Sequence, residues 1–497
     1  MKPRADIRPN TLENEVEALV VPTGFREYDA RWLYPEQINL LGIQALGLGL
    51  GTQLHEAGVA PKIVVGHDYR SYSLSIKQAL TVGLMAAGVE VHDIGLALSP
   101  TAYFAQFALD VPAVAMVTAS HNANGWTGVK IGMERPLTHG PDEMARLRDI
   151  VLNGEGMTRP GGGYVRVQGM RERHIADVAG SVRIKRKLKA VVATGNGTAG
   201  AFAPDVLRRV GVEVIERHTA LDHSFPHYNP NPEDLKMLHD VAEMVRAHGA
   251  DIGLAFDGDG DRCGVVDNEG EEIFADKMGV ILARDLARLH AKPTFVVDVK
   301  STGLFAADPV LQSLGVTADY WKTGHSYIKR RVNALGALAG FEKSGHFFFN
   351  APIGRGYDDG LVTAVAVCEL LDRNPDMTMA DLRRALPRTW GSPTMSPACA
   401  DTEKYGVVDR VVAWFRDLKE TRGTLIGQPI ADVNTVNGVR ITVADGTWGL
   451  VRASSNTPNL VVVVESPVSE ENMRAMFAEI DAVLSAQPEV GKYDQKL

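Results

Sequence analysis

The sequence predicts an α/β protein: three similar mixed α/β units in succession, closed by a different, α+β domain. Two patterns carry that expectation. Short apolar runs alternate with helical periodicity from Lys62 onward, and after about residue 390 the text changes to alternating strand-like runs. The length of 497 residues independently requires several domains.

Taken in order, the first unit reads KIVVG, SLSIKQALTVGLMAAG, VEVHDIG and AVAMVTASHN, a strand–helix–strand alternation. The second repeats it at KAVVATGNGTAG, AFAPDVLRRVG, VEVIE and DIGLAFDGDGDR. The third opens at PTFVVDVKSTG and closes at ALAGFEKSGH. In the tail, VNGVRITVADGTWGLVRASSNTPNLVVVVES reads as strands, and SEENMRAMFAEIDAVLSAQ as an amphipathic helix opened by a Ser/Glu cap. The turn-rich GMTRPGGGY marks a first junction and SPTMSP the last. The expected domains are residues 1–168, 169–273, 274–390 and 391–497.

Composition excludes several function classes. Apolar residues at 45% and charged residues at 23% supply sizeable cores and rule out wholesale disorder. The 52 Lys and Arg against 61 Asp and Glu leave a net charge of −9, which disfavours a nucleic-acid partner but permits a small anion in a locally basic cleft. Three cysteines, Cys263, Cys368 and Cys399, are too few and too dispersed for a disulfide framework or zinc cluster, and imply a reducing compartment. The first residues lack the apolar core of a signal peptide, and no run approaches the ~18 apolar residues of a membrane span. The expected location is cytoplasmic, without a membrane partner.

Four loops carry the candidate chemistry. In AFDGDGDRCG, Asp257, Asp259 and Asp261 alternate after an apolar strand; crowded carboxylates repel unless a hard cation shares them, which points to Mg²⁺. Gly258 and Gly260 let the backbone fold tightly enough for convergence. An EF-hand needs Gly at loop position six and Glu at twelve, where this chain has Arg262 and Asn268. A haloacid-dehalogenase-type phosphatase with Asp257 as nucleophile, and a solvated acidic turn, remain open on this loop alone. In VTASHNANGWTGVK, Ser120 stands at a strand end beside His121 and near Lys130, as a covalent nucleophile would, or as a turn residue would. In GFEKSGHFFFN, Glu342, Ser344 and His346 suit sugar hydroxyls, with a capping loop as the alternative. In GLVRASSNTPNL, Arg452, Ser454, Ser455, Asn456 and Thr457 offer donors to a phosphate, or form an ordinary hairpin turn. GNGTAG at 195–200, with Glu216 at the end of the next strand, also satisfies a dinucleotide fingerprint; a tight turn that only glycines make is the competing reading.

Together the four loops resemble the α-D-phosphohexomutase superfamily, in its bacterial phosphomannomutase/phosphoglucomutase branch. The phosphoserine motif T-[AG]-S-H-N-P is matched by TASHNA, the metal loop D-G-D-G-D-R is unaltered, G-E-x-S-G-H reads FEKSGH, and R-A-S-N-T-x-P reads RASSNTP. FREYDAR places Tyr28 and Arg31, DVKST places Lys300, and KTGHSYIK places His325. The resemblance implies four domains around a central cleft, the last shaped like TATA-binding protein. It implies phosphoryl transfer between the 1- and 6-positions of mannose or glucose phosphates through phosphorylated Ser120 and a bisphosphorylated sugar. Mg²⁺ would sit on Asp257, Asp259, Asp261 and the phosphoserine, with glucose or mannose 1,6-bisphosphate as activator. Catalytic candidates are Ser120, His121, Lys130, Arg262 and His325; sugar-loop candidates are Glu342, Ser344, His346, Lys300, Tyr28 and Arg31. A monomer or small homo-oligomer is expected, and GNGTAG becomes a structural turn. Phosphoglucosamine mutase is the runner-up, disfavoured by Gly260 where that branch has Ala; an Asp-nucleophile phosphatase, an NAD-dependent oxidoreductase and a sugar-binding protein without turnover are the competitors from other classes. Three departures stand out: Ala123 for proline, Phe341 for glycine, and Ser455-Asn456 for Asn-Thr.

Overall fold

The computed structural model describes residues 2–180 and 182–497. The chain forms two compact units, Met1–Ala275 with Ser344–Asp381, and Asp276–Lys343 with Leu382–Leu497.

In the first unit, β1 (Ala30–Leu33), β2 (Lys62–His67), β3 (Glu90–Leu96), β4 (Ala113–Val117), β5 (Trp126–Gly132) and β6 (Gly163–Arg166) form one sheet, ordered β1-β5-β4-β2-β3-β6. β2 is parallel to both β3 and β4, and β4 reverses into antiparallel β5. Both faces are covered, which is why the central runs are apolar without alternation: every residue of β4 is buried. Ile63 and Val65 pack one way against Leu46, Leu50 and Leu80, whereas Val64 points the other way toward Tyr103 and Met116.

The second sheet repeats this path with β7 (Lys189–Ala193), β8 (Glu213–Arg217), β9 (Ile252–Phe256), β10 (Cys263–Asp267) and β11 (Glu272–Ile273), ordered β11-β10-β9-β7-β8. β7 is parallel to β8 and β9, and β9 reverses into β10. In the second unit, β12 (Thr294–Asp298) lies parallel between β13 (Thr317–Trp321) and β14 (Ala339–Phe341). β15 (Phe347–Phe349) follows in the chain and belongs to the first unit. The consequence of the repeat is positional. The segments after β4, β9 and β14 carry Ser120, the three aspartates and Glu342, each at the same step of its own domain.

The C-terminal sheet is antiparallel: β16 (Trp390–Gly391), β17 (Thr424–Leu425), β18 (Gln428–Asn434), β19 (Val439–Val443), β20 (Trp448–Ala453) and β21 (Leu460–Ser466), ordered β16-β21-β20-β19-β18-β17. Helices Lys404–Glu420 and Glu470–Ser485 cover one face through Val411, Phe415, Met476 and Ile480. Ser469 caps the second helix, accepting from Asn472 N at 3.0 Å. Of the two junction runs, the first ends inside a strand and the second makes only isolated bridges, Met395 to Val462 and Pro397 to Tyr493. The end of GMTRPGGGY forms β6 on β3, made possible by Gly162, where a Cβ would lie 2.1 Å from the Met85 carbonyl oxygen; Met395 of SPTMSP is buried in the C-terminal core.

The other face of the C-terminal sheet packs on the third α/β domain, with Trp448, Leu450 and Val463 against Val299 and Tyr320. Arg440 lies 3.6 Å over the Trp448 ring and 4.4 Å over that of Tyr320, donating to the Val299 and Ser301 carbonyls. Beside it, buried Glu465 accepts from Lys277 Nζ (2.7 Å), Gly303 N (2.8 Å), Thr302 Oγ1 (2.9 Å) and Trp448 Nε1 (3.1 Å). Burial alone would raise this carboxyl, but Lys277 and the other donors outweigh it and hold Glu465 down at about 2, against an ordinary 4.5. A depressed carboxylate stabilises the fold above its unfolded pKa and loses that contribution as pH falls through its folded one. Glu465→Gln is therefore expected to cost on the order of 3 kcal/mol near neutrality. In thermal unfolding, its deficit against the unsubstituted protein should shrink as pH is lowered from about 5 toward 2.

Candidate active site

In the first unit, the β4–β5 and β9–β10 loops meet. Ser120 Oγ donates to Asp257 Oδ2 at 3.1 Å and lies 3.3 Å from His121 Nδ1. Ser120 is held at φ +51°, a left-handed conformation that costs a non-glycine residue energy and persists only where surroundings impose it. Those surroundings are Asp68 and Arg70, just after β2. Asp68 accepts from Thr118 Oγ1 (2.9 Å), Ala119 N (3.1 Å) and Ser73 Oγ (2.5 Å). Arg70 donates to the carbonyls of Ser120 (3.0 Å), Asn122 (2.7 Å) and Ala123 (3.1 Å), so the loop is braced although Ala123 replaces proline. Arg31 donates to Asn122 Oδ1 at 3.1 Å and to Asp29; Tyr28 is buried nearby in sequence.

Asp257, Asp259 and Asp261 are wholly buried, with one oxygen of each lying within 4.8 Å of the others. Arg262 donates to Asp257 from its backbone N (3.2 Å) and Nε (3.1 Å), and reaches Glu233 (3.0 Å) and the Ser344 carbonyl (3.3 Å). Lys130 donates to Asp259 Oδ2 at 2.7 Å and to Asp261 Oδ2, while Ser99 Oγ also donates to Asp259 at 2.7 Å. His346 Nδ1 sits 3.0 Å from Asp358 and 3.7 Å from Asp261, which puts this sugar-loop residue on the carboxylate cluster. Burial and the like charges of Asp261 and Asp259 push Asp257 up to about 8. Burial also works against ionised Asp259, but Lys130 overrides it and holds that carboxyl well below its ordinary range. Lys130, despite burial, is raised by Asp259 and Asp261, and His121 is driven well below its ordinary value by burial and by Arg262 and Arg31. Among the described residues, Asp259 Oδ1 and Asp261 Oδ1 have no hydrogen-bond partner. A hard divalent cation suits this donor set, because it accepts carboxylate oxygens that no N–H reaches.

The glycines of this region serve close approach. A Cβ at Gly258 would lie 2.4 Å from the Ser120 carbonyl oxygen, so only glycine lets the aspartate loop pass that close to the serine loop. GNGTAG supports the same loop: Thr198 N donates to the Gly258 carbonyl at 3.1 Å. The space a pyrophosphate would need beside Gly197 and Gly200 is filled by Gly258 and by the Thr219 backbone, and Glu216 is engaged by Arg208 and Thr219. The turn is structural, and the dinucleotide reading does not hold.

The second unit brings together the other candidates. Glu342 Oε1 accepts from Gly324 N at 2.6 Å, next to buried His325 at the start of helix His325–Leu335. Asp298, at the end of β12, accepts from Ser301 Oγ (2.5 Å), Thr323 Oγ1 (3.0 Å) and Lys343 N (3.2 Å), tying the loops that carry Lys300, His325 and Glu342. Phe341 fills the domain core between Phe295 and Phe305, at 5.6 Å from each ring, which accounts for its replacing glycine. Arg452 stands one residue before the end of β20; it donates to the Ala453 carbonyl at 2.8 Å and to Asn437 Oδ1 at 3.4 Å, and its Nε has no hydrogen-bond partner among the described residues. Ser454 Oγ accepts from Thr457 N (3.3 Å) and Asn456 N (3.4 Å), a hydroxyl-closed turn in which Ser455 is buried and Asn456 half-buried. Lys404, buried under this turn, donates to the carbonyls of Ser454 (2.6 Å) and Thr457 (3.0 Å).

Known proteins share this order of domains. In order, the chain matches the phosphoglucomutase/phosphomannomutase alpha/beta/alpha domain I over residues 22–156, domain II over 172–270, domain III over 274–390 and the C-terminal domain over 403–483. The chain belongs to the phosphoglucomutase/phosphomannomutase family. A phosphomannomutase/phosphoglucomutase of Pseudomonas putida is 32% identical over 475 residues, covering 96% of this chain and 98% of that protein. A phosphoglucomutase of Neisseria meningitidis is 29% identical, covering 93% and 97%. Among solved structures, a phosphoglucomutase/phosphomannomutase family protein from Burkholderia thailandensis superposes with a TM-score of 0.84 at 29% identity, covering 95% of this chain and 99% of that one. This phosphohexomutase therefore has the family's four-domain architecture, three α/β domains and an antiparallel C-terminal one.

Asp68, Arg70, Ser99, Asp298, Asp358 and Lys404 escape sequence reasoning. HDYR after the strand KIVVG carried a signal, an Asp and an Arg at the C-terminal end of a central strand, where α/β sheets place function. Lys404 carries none, since its partners are carbonyls of a turn fifty residues away. The Gly258 contact yields a test: Gly258→Ala should displace the aspartate loop from Ser120 and lower kcat by about 10²-fold, the usual cost of misplacing reacting groups by ~1 Å. Steady-state mutase assay, with circular dichroism confirming the fold, checks it.

Proposed function

We propose that this phosphohexomutase interconverts the 1- and 6-phosphates of mannose and glucose through phosphorylated Ser120 and a bisphosphorylated hexose. The observation that carries the reading is Ser120 Oγ, held at a strained φ and 3.1 Å from a buried carboxylate of a three-aspartate cluster. In each half-reaction the P–O bond at one oxygen breaks as the bond to the other forms: Ser120 gives its phosphoryl group to the sugar hydroxyl, and the bisphosphate, turned end for end, returns its other phosphate to Ser120. The hydroxyl proton passes to a base among His121, Lys130 and His325. Lys130, an ammonium held by two carboxylates, is the least suited of the three to take it.

Asp257, Asp259 and Asp261, with the serine phosphate, would hold Mg²⁺, which neutralises charge on the transferring group. Arg262 fixes Asp257 against the serine, and Arg31 and Arg70 keep its loop in place. Arg452, Ser454, Ser455, Asn456 and Thr457 grip the phosphate that is not reacting, so they must accept it from either end of the sugar. Glu342, Ser344, His346, Lys300 and Tyr28 recognise hydroxyls. Because both Asp257 oxygens already accept from Arg262 or Ser120, the Asp-nucleophile phosphatase is disfavoured.

Glucose or mannose 1,6-bisphosphate would prime the serine. We further assign the domains as residues 1–168, 169–273, 274–390 and 391–497, and the protein to the cytoplasm as a monomer or small homo-oligomer. The three buried, unpaired cysteines support a reducing compartment, and no helix among the described residues is long and apolar enough to cross a membrane. The test is ³¹P NMR with Mg²⁺ and a trace of glucose 1,6-bisphosphate, offering mannose, glucose and glucosamine 1-phosphates separately. A 6-phosphate signal should grow from the first two without inorganic phosphate and be absent with Ser120→Ala. Release of inorganic phosphate, or turnover by Ser120→Ala, would contradict the reading.

A further inference from the structure

We propose that Lys130 is the built-in counter-cation of the aspartate cluster: its ammonium neutralises Asp259 and Asp261 when no metal is bound, and it weakens the affinity of that cluster for divalent cations. The inference rests on the reading that these carboxylates hold such a cation.

Three observations carry it. Lys130 Nζ is bonded to Asp259 Oδ2 at 2.7 Å and to Asp261 Oδ2, with the Lys130 side chain only 3% exposed. Its position is rigid, because it stands in β5 opposite Met116 of β4, in the interior of the first sheet. The remaining oxygens, Asp259 Oδ1 and Asp261 Oδ1, are buried without a hydrogen-bond partner among the described residues, so a metal ion finds ligands on the same two carboxylates that the ammonium already touches. Arg262 bonds Asp257 and Glu233, whereas Asp259 has Ser99 and Lys130 and Asp261 has Lys130, with His346 at 3.7 Å. Buried Asp259 and Asp261 need positive charge beside them, and Lys130, bonded to both, supplies it. An incoming dication meets that charge a few ångströms away, in surroundings of low dielectric, where repulsion between full charges is large. Lys130 thus acts as a positioning residue with two opposed effects: it keeps the metal-free loop together and makes the bound metal exchangeable.

The experiment uses full-length protein shown by intact mass to carry no phosphate. Binding of Mn²⁺, the spectroscopic probe, is titrated by electron paramagnetic resonance at one fixed pH for the unsubstituted protein, Lys130→Met, Lys130→Gln, Lys130→Arg and Asp259→Asn, and each is melted in EDTA and in Mg²⁺. Lys130→Met and Lys130→Gln should bind Mn²⁺ roughly 10-fold or more tightly. They should melt lower than the unsubstituted protein in EDTA and regain most of the difference in Mg²⁺, while Lys130→Arg keeps ordinary affinity. A lysine that merely packed would, on removal, loosen metal binding instead. Equal or weaker Mn²⁺ binding by both neutral variants overturns the proposal and leaves the metal site standing. Failure of both to fold even in Mg²⁺ also overturns it, because the dication is expected to replace the lost charge. If the unsubstituted protein takes up no Mn²⁺, or Asp259→Asn binds it equally well, the carboxylate reading itself fails and this inference falls with it.

Discussion

Three buried carboxylates share a space in which their oxygens approach within 4.8 Å, and the first unit is arranged around the need to neutralise them. Isolated ionised carboxylates do not survive burial; they neutralise or acquire partners. Here the partners come from distant parts of the chain: Lys130 from β5, Arg262 from the loop itself, Ser99 from the start of a helix, and His346 from the segment before β15. What remains is Asp257, raised to about 8 by burial and by the charges of Asp261 and Asp259, and two oxygens with no hydrogen-bond partner among the described residues, a donor set that could hold a cation. Asp257 also accepts from Ser120 Oγ, while Asp68 and Arg70 hold the backbone of the serine loop in its strained conformation.

The repeated α/β path explains how one chain delivers chemistry from several domains. In each repeat a central strand is flanked by two parallel neighbours, and the segment leaving the second of them emerges at the C-terminal edge of the sheet, where side chains are free of the strand ladder. A repeated domain therefore presents its loop at an equivalent place, and the loop sequences differ: Ser120 stands on one, Asp257, Asp259 and Asp261 on the next, and Glu342 on the third. The C-terminal domain uses another device. Its sheet is braced on the third domain by Glu465 and Arg440, and a serine-closed turn at the end of β20 displays the residues assigned to phosphate.

Much of this was legible in the residues. The apolar runs KIVVG, AVAMV and IGLAF announced central strands because burial on both faces removes polar alternation, and the aspartate loop drew attention through charge crowding that a shared hard cation relieves, with a solvated acidic turn and a phosphatase loop as the competing readings. Identification of Ser120 rested on resemblance: a serine after a strand has an ordinary turn reading, and the strain and brace that distinguish it are three-dimensional. Asp68 and Arg70 lie fifty residues from the loop they hold, and Glu465 reads as one charge at the end of VVVVES until folding puts Lys277, Thr302 and Trp448 around it. GNGTAG, which the family resemblance reads as a structural turn, is ambiguous by itself for a physical reason. Glycine is required there for close packing against Gly258 and Thr219, and close packing and phosphate binding demand the same residue.

The proposed reaction depends on a phosphoryl group carried by Ser120, beside the carboxylate cluster. The direct measurement is to incubate the protein with glucose 1,6-bisphosphate and Mg²⁺, quench, digest, and locate phosphate by tandem mass spectrometry. The account predicts stoichiometric phosphate on Ser120, removed when excess glucose 1-phosphate is added and absent from Ser120→Ala. Phosphate on a different residue, or full turnover with Ser120 unmodified throughout, would contradict it.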